Sequence, residues 1–291
     1  MKVMILGAGG MLGTDLLPVW KKEHKVLPLG HSECDISNRS ETASLMERER
    51  PDMVLLLAAA TDVDRCQLDR EYAFRTNAMG TEVVAQQCGI FSVPLVYIST
   101  IAVFNGEKDA PYDEYDLPAP MNVYGLSKYH GETAVREFAP MHWIVRTGWL
   151  FGGGLRDMKF VAKILRRAQE DDEISVVRDC VGSPTYTADL ASGLLQLVEG
   201  CPYGTYHLIN SGVSASRYEL GRMTLAAAGY SMDRIQPCLS SELDLPAPRP
   251  RMEAAVSIKL KMLPGGVQMP DWRDSLRGYV HLLSREMGIG S

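Results

Sequence analysis

Near the start of the chain stands Val3-Met4-Ile5-Leu6-Gly7-Ala8-Gly9-Gly10-Met11-Leu12-Gly13. A short apolar run of strand length gives way to glycines at 7, 10 and 13, where an amphipathic segment begins. Gly7 permits a tight turn, Gly10 lets the backbone approach a pyrophosphate, and Gly13 allows a helix to pack close to a sheet. The helix that follows presents unpaired N–H groups and the positive end of its dipole to phosphates. An ordinary glycine-rich turn is the plainer account. The position of the glycines, after the first strand and at the opening of the first helix, favours a nucleotide site.

Outward from this stretch, short apolar runs alternate with helical patterns. Val3–Leu6, Lys25–Leu29, Met53–Leu57, Leu95–Ser99 and Trp143–Arg146 read as strands. Met11–Lys22, Ser40–Glu49, Glu71–Cys88 and Val123–Glu137 read as helices. Apolar, non-alternating strands separated by helices imply a parallel sheet covered on both faces, and right-handed crossovers make it doubly wound. The expected class is therefore α/β, with a Rossmann-like dinucleotide domain over residues 1–147. Residues of about 178–210 would continue the sheet through a helix at Ala188–Leu197 and a strand at Thr205–Ile209. After Arg146 the rhythm becomes irregular. Segments 148–177 and 211–291 would form a smaller, discontinuous substrate domain over the carboxyl edge of the sheet, where ligands of open α/β sheets bind. They hold helical patterns at Met158–Glu170, Tyr218–Ala228 and Asp271–Arg285 and a strand at Ile174–Val177.

Composition narrows the function. With 291 residues, 46% hydrophobic and 23% charged, the chain has enough apolar content for a large core. A net charge of −6 gives no footprint for nucleic acid. No apolar run approaches the ~18 residues of a membrane span, and the first residues lack a signal-peptide pattern. The six cysteines at 34, 66, 88, 180, 201 and 238 are scattered without a Cys-x-x-Cys, so neither a disulfide framework nor a zinc site is indicated, and no carboxylate cluster marks a metal. A cytoplasmic protein acting on a small molecule is the expectation.

Further residues fit a dinucleotide. Asp35-Ile36 follows the second strand at a spacing that suits the adenine amino group; the plainer role for Asp35 is a helix N-cap. Ala58-Ala59-Ala60 ends the third strand with side chains small enough for a cofactor to lie against. Gly30-His31-Ser32 carries no acid where one would bind a ribose 2′-hydroxyl and exclude a 2′-phosphate. No arginine there demands a 2′-phosphate either, so NADPH or NADH is expected, with a lean towards NADPH. Tyr124 and Lys128 stand one helical turn apart, downstream of Ser99-Thr100 at the end of the fourth strand. A hydroxyl, a phenol and an ammonium would thus gather near a nicotinamide. The tyrosine can give a proton to a carbonyl oxygen, the lysine charge would favour the phenolate, and Thr100 can hydrogen-bond the same oxygen.

The series Gly7–Gly13, AAATDVD, the strand-end Ser-Thr, NVYGLSKYHGE, RTGWLFG, SPTYTADLA, GTYHLINSG, RPRMEAAVSIKL and MPDWRDSLRGY resembles the extended short-chain dehydrogenase/reductases. It is most similar to the dTDP-4-dehydrorhamnose reductases, over nearly the whole chain. The resemblance implies that Gly10, Met11 and Leu12 meet the pyrophosphate, Asp35-Ile36 the adenine, and that Ala59, Ala60 and Thr61 line the cofactor. It gives Tyr124 and Lys128 the nicotinamide ribose and the proton transfer, and Thr100 the carbonyl. Trp149 would contact the sugar nucleotide, although core packing is its plainer role. Val63 would line the sugar pocket, and Arg249 or Arg251 would reach the diphosphate. A nucleotide-sugar substrate follows from the same resemblance, which is compatible with a homodimer and does not fix the oligomeric state.

Two departures stand out. Where the family reads S-T-D-Y-V-F, this chain reads Ser99-Thr100-Ile101-Ala102-Val103-Phe104, which would set apolar surface against the sugar. Gly30 stands where many relatives carry an acid. The implied reaction is NAD(P)H-dependent reduction of the C4 keto group of a nucleotide-linked 4-keto-6-deoxy sugar. Two alternatives are an epimerase or dehydratase that retains its NAD, and a catalytically silent regulatory subunit.

Overall fold

The structure, a computed structural model, describes residues 1–264 and 266–289. Its centre is a six-stranded sheet. In chain order the first five strands are β1 (Lys2–Leu6), β2 (Lys25–Leu29), β3 (Met53–Leu56), β4 (Leu95–Thr100) and β5 (His142–Thr147). They lie side by side in the order β5-β4-β3-β1-β2, and the late strand Gly204–His207 adds outside β5. Every pairing is parallel, with Leu6 opposite both Leu29 and Leu56, and Thr100 opposite Thr147. The α/β doubly wound class expected from the alternation is the class observed.

Strand side chains alternate between faces, and each face has its own helical cover. Val3 and Ile5 pack with Leu12, Leu16 and Trp20 of α1 (Met11–Glu23) and with Leu190, Leu194 and Leu197 of helix Thr187–Gly200. The Trp20 indole donates to the Ala191 carbonyl at 3.1 Å, pinning those two helices together. Met4 and Leu6 pack on the other face with Leu45 and Met46 of α2 (Arg39–Glu49) and with residues of two later helices.

The helix expected over Glu71–Cys88 is not continuous. The chain instead forms α3 (Val63–Leu68), α4 (Arg70–Phe74), a π-helical stretch Arg75–Gly80 and then α5 (Thr81–Phe91). The widened turn serves a contact. Buried Asn77 accepts from the Ala60 amide at 2.8 Å, and its amide group lies 3.0 Å from both the Ala60 carbonyl and the Ser127 hydroxyl. One side chain thus ties the end of β3 to α6 (Val123–Phe138), which carries Tyr124 and Lys128. Interrupted helices of this kind recur near functional sites.

The remaining segments close over the carboxyl ends of the strands. Ile174–Val177 pairs with Ile235–Cys238, so it does not extend the main sheet. Val181–Gly182 lies between Ala215–Ser216 and Met252–Glu253, and Leu150–Phe151 pairs with Thr185–Tyr186. Among the described residues no helix is long and apolar enough to cross a membrane, and all six cysteines are unpaired.

Candidate active site

One cleft of about 920 Å³ runs along the carboxyl edge of the sheet. Gly7 and residues 9–13 line one end. Gly7 has φ +86°, and a Cβ there would lie 2.4 Å from the Ala58 amide nitrogen. A Cβ on Gly13 would lie 2.1 Å from the Ala8 carbonyl oxygen, so only glycine brings α1 this close to the turn. No side chain caps α1, and its first turn lines the cleft. A backbone cradle this narrow, with uncapped amides at a helix N-terminus, fits a dinucleotide pyrophosphate.

Asp35, Ile36, Ser37 and Arg75 line the same end, beside Gly30 and His31. Asp35 is not a helix cap, because Asn38 fills that position on α2. Its carboxylate accepts from the Ser37 hydroxyl at 2.7 Å and pairs with Arg75 at 3.1 Å. The Ser37 hydroxyl, with Arg75 as a lesser help, holds that carboxyl below the ordinary aspartate range. Residues 30–32 carry no acid, as read from the sequence, and Glu33 just beyond them folds back to accept from the Gly30 amide at 2.8 Å without lining the cleft. The expectation about arginine needs correcting, because one is present. Arg75 arrives from the π-helical stretch, so no local reading of residues 30–32 shows it.

Ala58, Ala59, Ala60 and Thr61 form the floor, and Thr100, Tyr124 and Lys128 stand together beyond it. Thr100 ends β4 with its hydroxyl accepting from the Ala102 amide at 3.1 Å, which starts a 3₁₀ turn at Ile101–Val103. Asn122 caps α6 by accepting from the Gly125 amide at 2.8 Å, and this fixes Tyr124 in the first turn. Tyr124, Lys128 and Glu132 follow at successive turns of one face.

The electrostatics of this group differ from the expectation. The Lys128 amine is 2% exposed, donates to the Ile98 carbonyl at 2.7 Å, and lies 4.1 Å from the centroid of the Tyr97 ring. Burial pushes it down to about 7, against the pull of Glu132. Burial pushes the Tyr124 phenol up to about 12, and the Thr100 hydroxyl beside it opposes that rise. The expected phenolate is therefore not favoured here, because burial of the phenol dominates and the nearby Cys66 and Glu253 push it the same way. The phenol keeps its proton at neutral pH, which is the form a proton donor needs.

Val63, at the N-terminus of α3, and Trp149 line the far end of the cleft, with Arg249. Trp149 adopts φ 45°, uncommon for a bulky residue, and its indole donates to Glu253 at 2.8 Å. Arg249 is tied to Asp64 at 2.8 Å and to the Ala247 carbonyl at 2.7 Å. Arg251 is exposed and does not line the cleft. The Ile101-Ala102 expectation is half corrected. Ile101 is buried with Val103, Phe104, Tyr112 and Ala255, and only Ala102 faces the cleft. An apolar side chain at 101 thus completes a core cluster and sets no surface against a ligand.

Four lining residues have no local signal in the sequence: Lys159, Phe160, Arg217 and Glu253. Lys159 donates to the Thr61 carbonyl and hydroxyl at 3.2 and 3.1 Å, across 98 residues of chain. They come from the irregular second half, whose place over the sheet depends on tertiary packing.

Comparison with known proteins agrees with this geometry. The family model described as the RmlD substrate binding domain matches residues 1–285. A dTDP-4-dehydrorhamnose reductase of Mycolicibacterium smegmatis is 39% identical over 282 residues, covering 96% of this chain and 85% of the relative. A dTDP-4-dehydrorhamnose reductase of Bacillus anthracis, solved in complex with NADP, superposes with a TM-score of 0.90 at 36% identity, over 96% of this chain and 98% of that one. One from Clostridium acetobutylicum reaches 0.93 at 33% identity, over 98% and 100% of the two chains.

Proposed function

On the premise that the chain belongs to the dTDP-4-dehydrorhamnose reductase family, we propose that it reduces the C4 keto group of a dTDP-linked 4-keto-6-deoxy sugar with NAD(P)H. The substrate assigned is dTDP-4-dehydro-L-rhamnose, and the product dTDP-L-rhamnose. What carries the reading is the meeting of Thr100, Tyr124 and Lys128 in the same cleft as the glycine cradle. The reduced nicotinamide, when bound, supplies hydride to the carbonyl carbon. Tyr124 gives its phenolic proton to the carbonyl oxygen, and Thr100 hydrogen-bonds that oxygen and fixes its direction. Lys128 stands one turn further along α6 and holds the nicotinamide ribose. Met11 and Leu12 present their amides to the pyrophosphate, while Asp35 and Ile36 take the adenine. Trp149, Val63 and Ala102 form the walls around the sugar. Unpaired thiols suit a reducing, cytoplasmic setting.

Absorbance of the reduced nicotinamide, followed against a panel of 4-keto sugar nucleotides, tests the reading. Turnover fastest with the dTDP-4-dehydrorhamnose substrate is the expected result. No turnover with any member, together with tight binding to another protein, would establish the regulatory alternative.

Cofactor choice gives a second test. Positions 30–32 carry no acid, and Glu33 keeps its carboxylate against the Gly30 amide, so both cofactors are expected to serve, with NADPH modestly preferred. Gly30→Asp adds a carboxylate where its Cβ would lie 2.9 Å from Glu33 Oε2, so Glu33 must turn aside. The new charge faces a 2′-phosphate, and the ratio of kcat/KM for NADPH to that for NADH should fall by roughly tenfold or more. A parent enzyme that already rejects NADPH by orders of magnitude would refute this account.

A further inference from the structure

Three cations line the substrate end of the cleft, and two are already engaged. Lys159 donates to Thr61, and Arg249 is held by Asp64 and the Ala247 carbonyl. The third, Arg217, opens the helix Arg217–Ala227 that follows the Ser216 cap. Its guanidinium lies 3.5 Å from the centroid of the Trp149 ring and 5.0 Å from that of Phe160. Among the described residues no carboxylate or carbonyl takes a hydrogen bond from it. Stacking fixes the plane of the fork and leaves its N–H edge unspent.

The indole itself is tightly packed. A Cβ on Gly182 would lie 2.2 Å from the Trp149 ring, so only glycine lets the backbone approach the indole this closely. Glu253 fixes the indole edge by accepting its N–H, which turns that carboxylate towards Trp149. The result is a planar cation of set orientation at the cleft wall, next to the tryptophan assigned to the sugar nucleotide. Desolvation lowers the guanidinium pKa to about 10, so it stays charged at neutral pH.

We propose that Arg217, and not Arg249, receives the diphosphate of the nucleotide-sugar substrate, as a bidentate fork braced on Trp149. The inference rests on the proposed reaction for its choice of ligand. A diphosphate is the part of such a substrate that matches a rigid, positively charged fork, because two N–H groups can meet two phosphoryl oxygens in one plane. Arg249 would then serve to strap the proline-rich segment to Asp64 and so close the wall.

The test compares binding of dTDP and of thymidine to the full-length protein and to its Arg217→Gln and Arg217→Lys variants, by calorimetry for dTDP and by NMR titration for thymidine. Thermal melting first establishes that each variant is folded. Arg217→Gln should weaken dTDP on the order of tenfold to a hundredfold, with thymidine and NADPH affinities unaltered. Arg217→Lys, which keeps the charge without the fork, should fall between parent and Gln, and it decides the matter if Gln does not fold. Unchanged dTDP affinity in either folded variant overturns the proposal. Equal loss for dTDP and thymidine also overturns it, because that pattern belongs to a side chain that only packs on Trp149. A panel of other nucleoside diphosphates separates this inference from the reaction. If the parent turns over no 4-keto sugar but binds UDP or GDP with the same Arg217 dependence, the sugar assignment fails and the diphosphate site stands. If the parent reduces the dTDP sugar and Arg217→Gln retains dTDP affinity, the site fails and the reaction stands. A parent that binds no nucleoside diphosphate overturns the inference.

Discussion

Tyr124→Phe is expected to lower kcat by ~10²–10⁴, the usual worth of a positioned proton donor, while NADPH affinity stays close to that of the parent. The substitution removes one hydroxyl from a side chain buried beside Thr100 and leaves the ring that lines the cleft. Lys128→Met should reduce kcat and also weaken NADPH, roughly tenfold, because the amine is assigned to the ribose as well. Single-turnover absorbance and cofactor titration separate the two effects. A fully active Tyr124→Phe enzyme would refute the mechanism. The pH profile adds an independent check. With the phenol pushed up to about 12, the donor is protonated across the neutral range and contributes no limb there. The Lys128 amine, lowered to about 7, loses its charge as pH rises through neutrality. A fall in kcat/KM above about pH 7 is therefore assigned to Lys128, and Lys128→Met should abolish it.

The doubly wound sheet was legible because its signals are local. Period-free apolar strands, glycines at 7, 10 and 13, and a Tyr–Lys pair one turn apart each occupy a few consecutive residues, and packing did not override them. The irregular second half carries its information differently. Arg217 and Glu253 reach Trp149 only because Val181–Gly182 pairs with both Ala215–Ser216 and Met252–Glu253. Two-residue strands of that kind have no periodicity to read. Likewise Arg75 stands beside Asp35 because a π-helical stretch redirects the chain, whereas the sequence shows only a continuous helical pattern.

Position 101 shows a different limit. The family resemblance implies an acid at the position of Ile101, but motif spacing does not reveal which way a side chain faces. The 3₁₀ turn after Thr100 sends Ile101 into the cluster with Phe104 and Tyr112 and leaves Ala102 on the cleft wall. Charge behaved similarly. The spacing of Tyr124 and Lys128 suggested that the ammonium would favour the phenolate. Their burial reverses that outcome, and burial is a property of the folded chain.

Below the reacting groups the same helix carries a residue whose loss should be the most damaging to stability. Glu132, one turn beyond Lys128, is fully buried and accepts from Ser99 at 2.6 Å, from Arg146 at 2.8 and 2.7 Å, and from Arg136 at 2.7 Å. Arg146, on β5, is 2% exposed and has one terminal nitrogen already without a partner. Glu132→Leu strands that guanidinium in the core, which costs about 3–5 kcal/mol, or on the order of 10 °C in Tm for a chain of this size. The sign with pH follows from the same contacts. Desolvation raises the Glu132 carboxyl, but Arg146 and Ser99 outweigh it and hold the carboxyl below the ordinary 4.5. The stability it contributes is thus complete above that value and is lost as pH falls through the lowered one. Denaturant melts of the parent between pH 3 and 7 should show this loss, and melts of Glu132→Leu should lack that share of it. The decisive variant is the double substitution Glu132→Leu with Arg146→Met. Taking both charges out of the core removes their desolvation cost together, so the double variant should be far more stable than Glu132→Leu alone. If the double variant is instead less stable than either single one, the two residues do not act as a pair, and the support beneath Lys128 comes from packing alone.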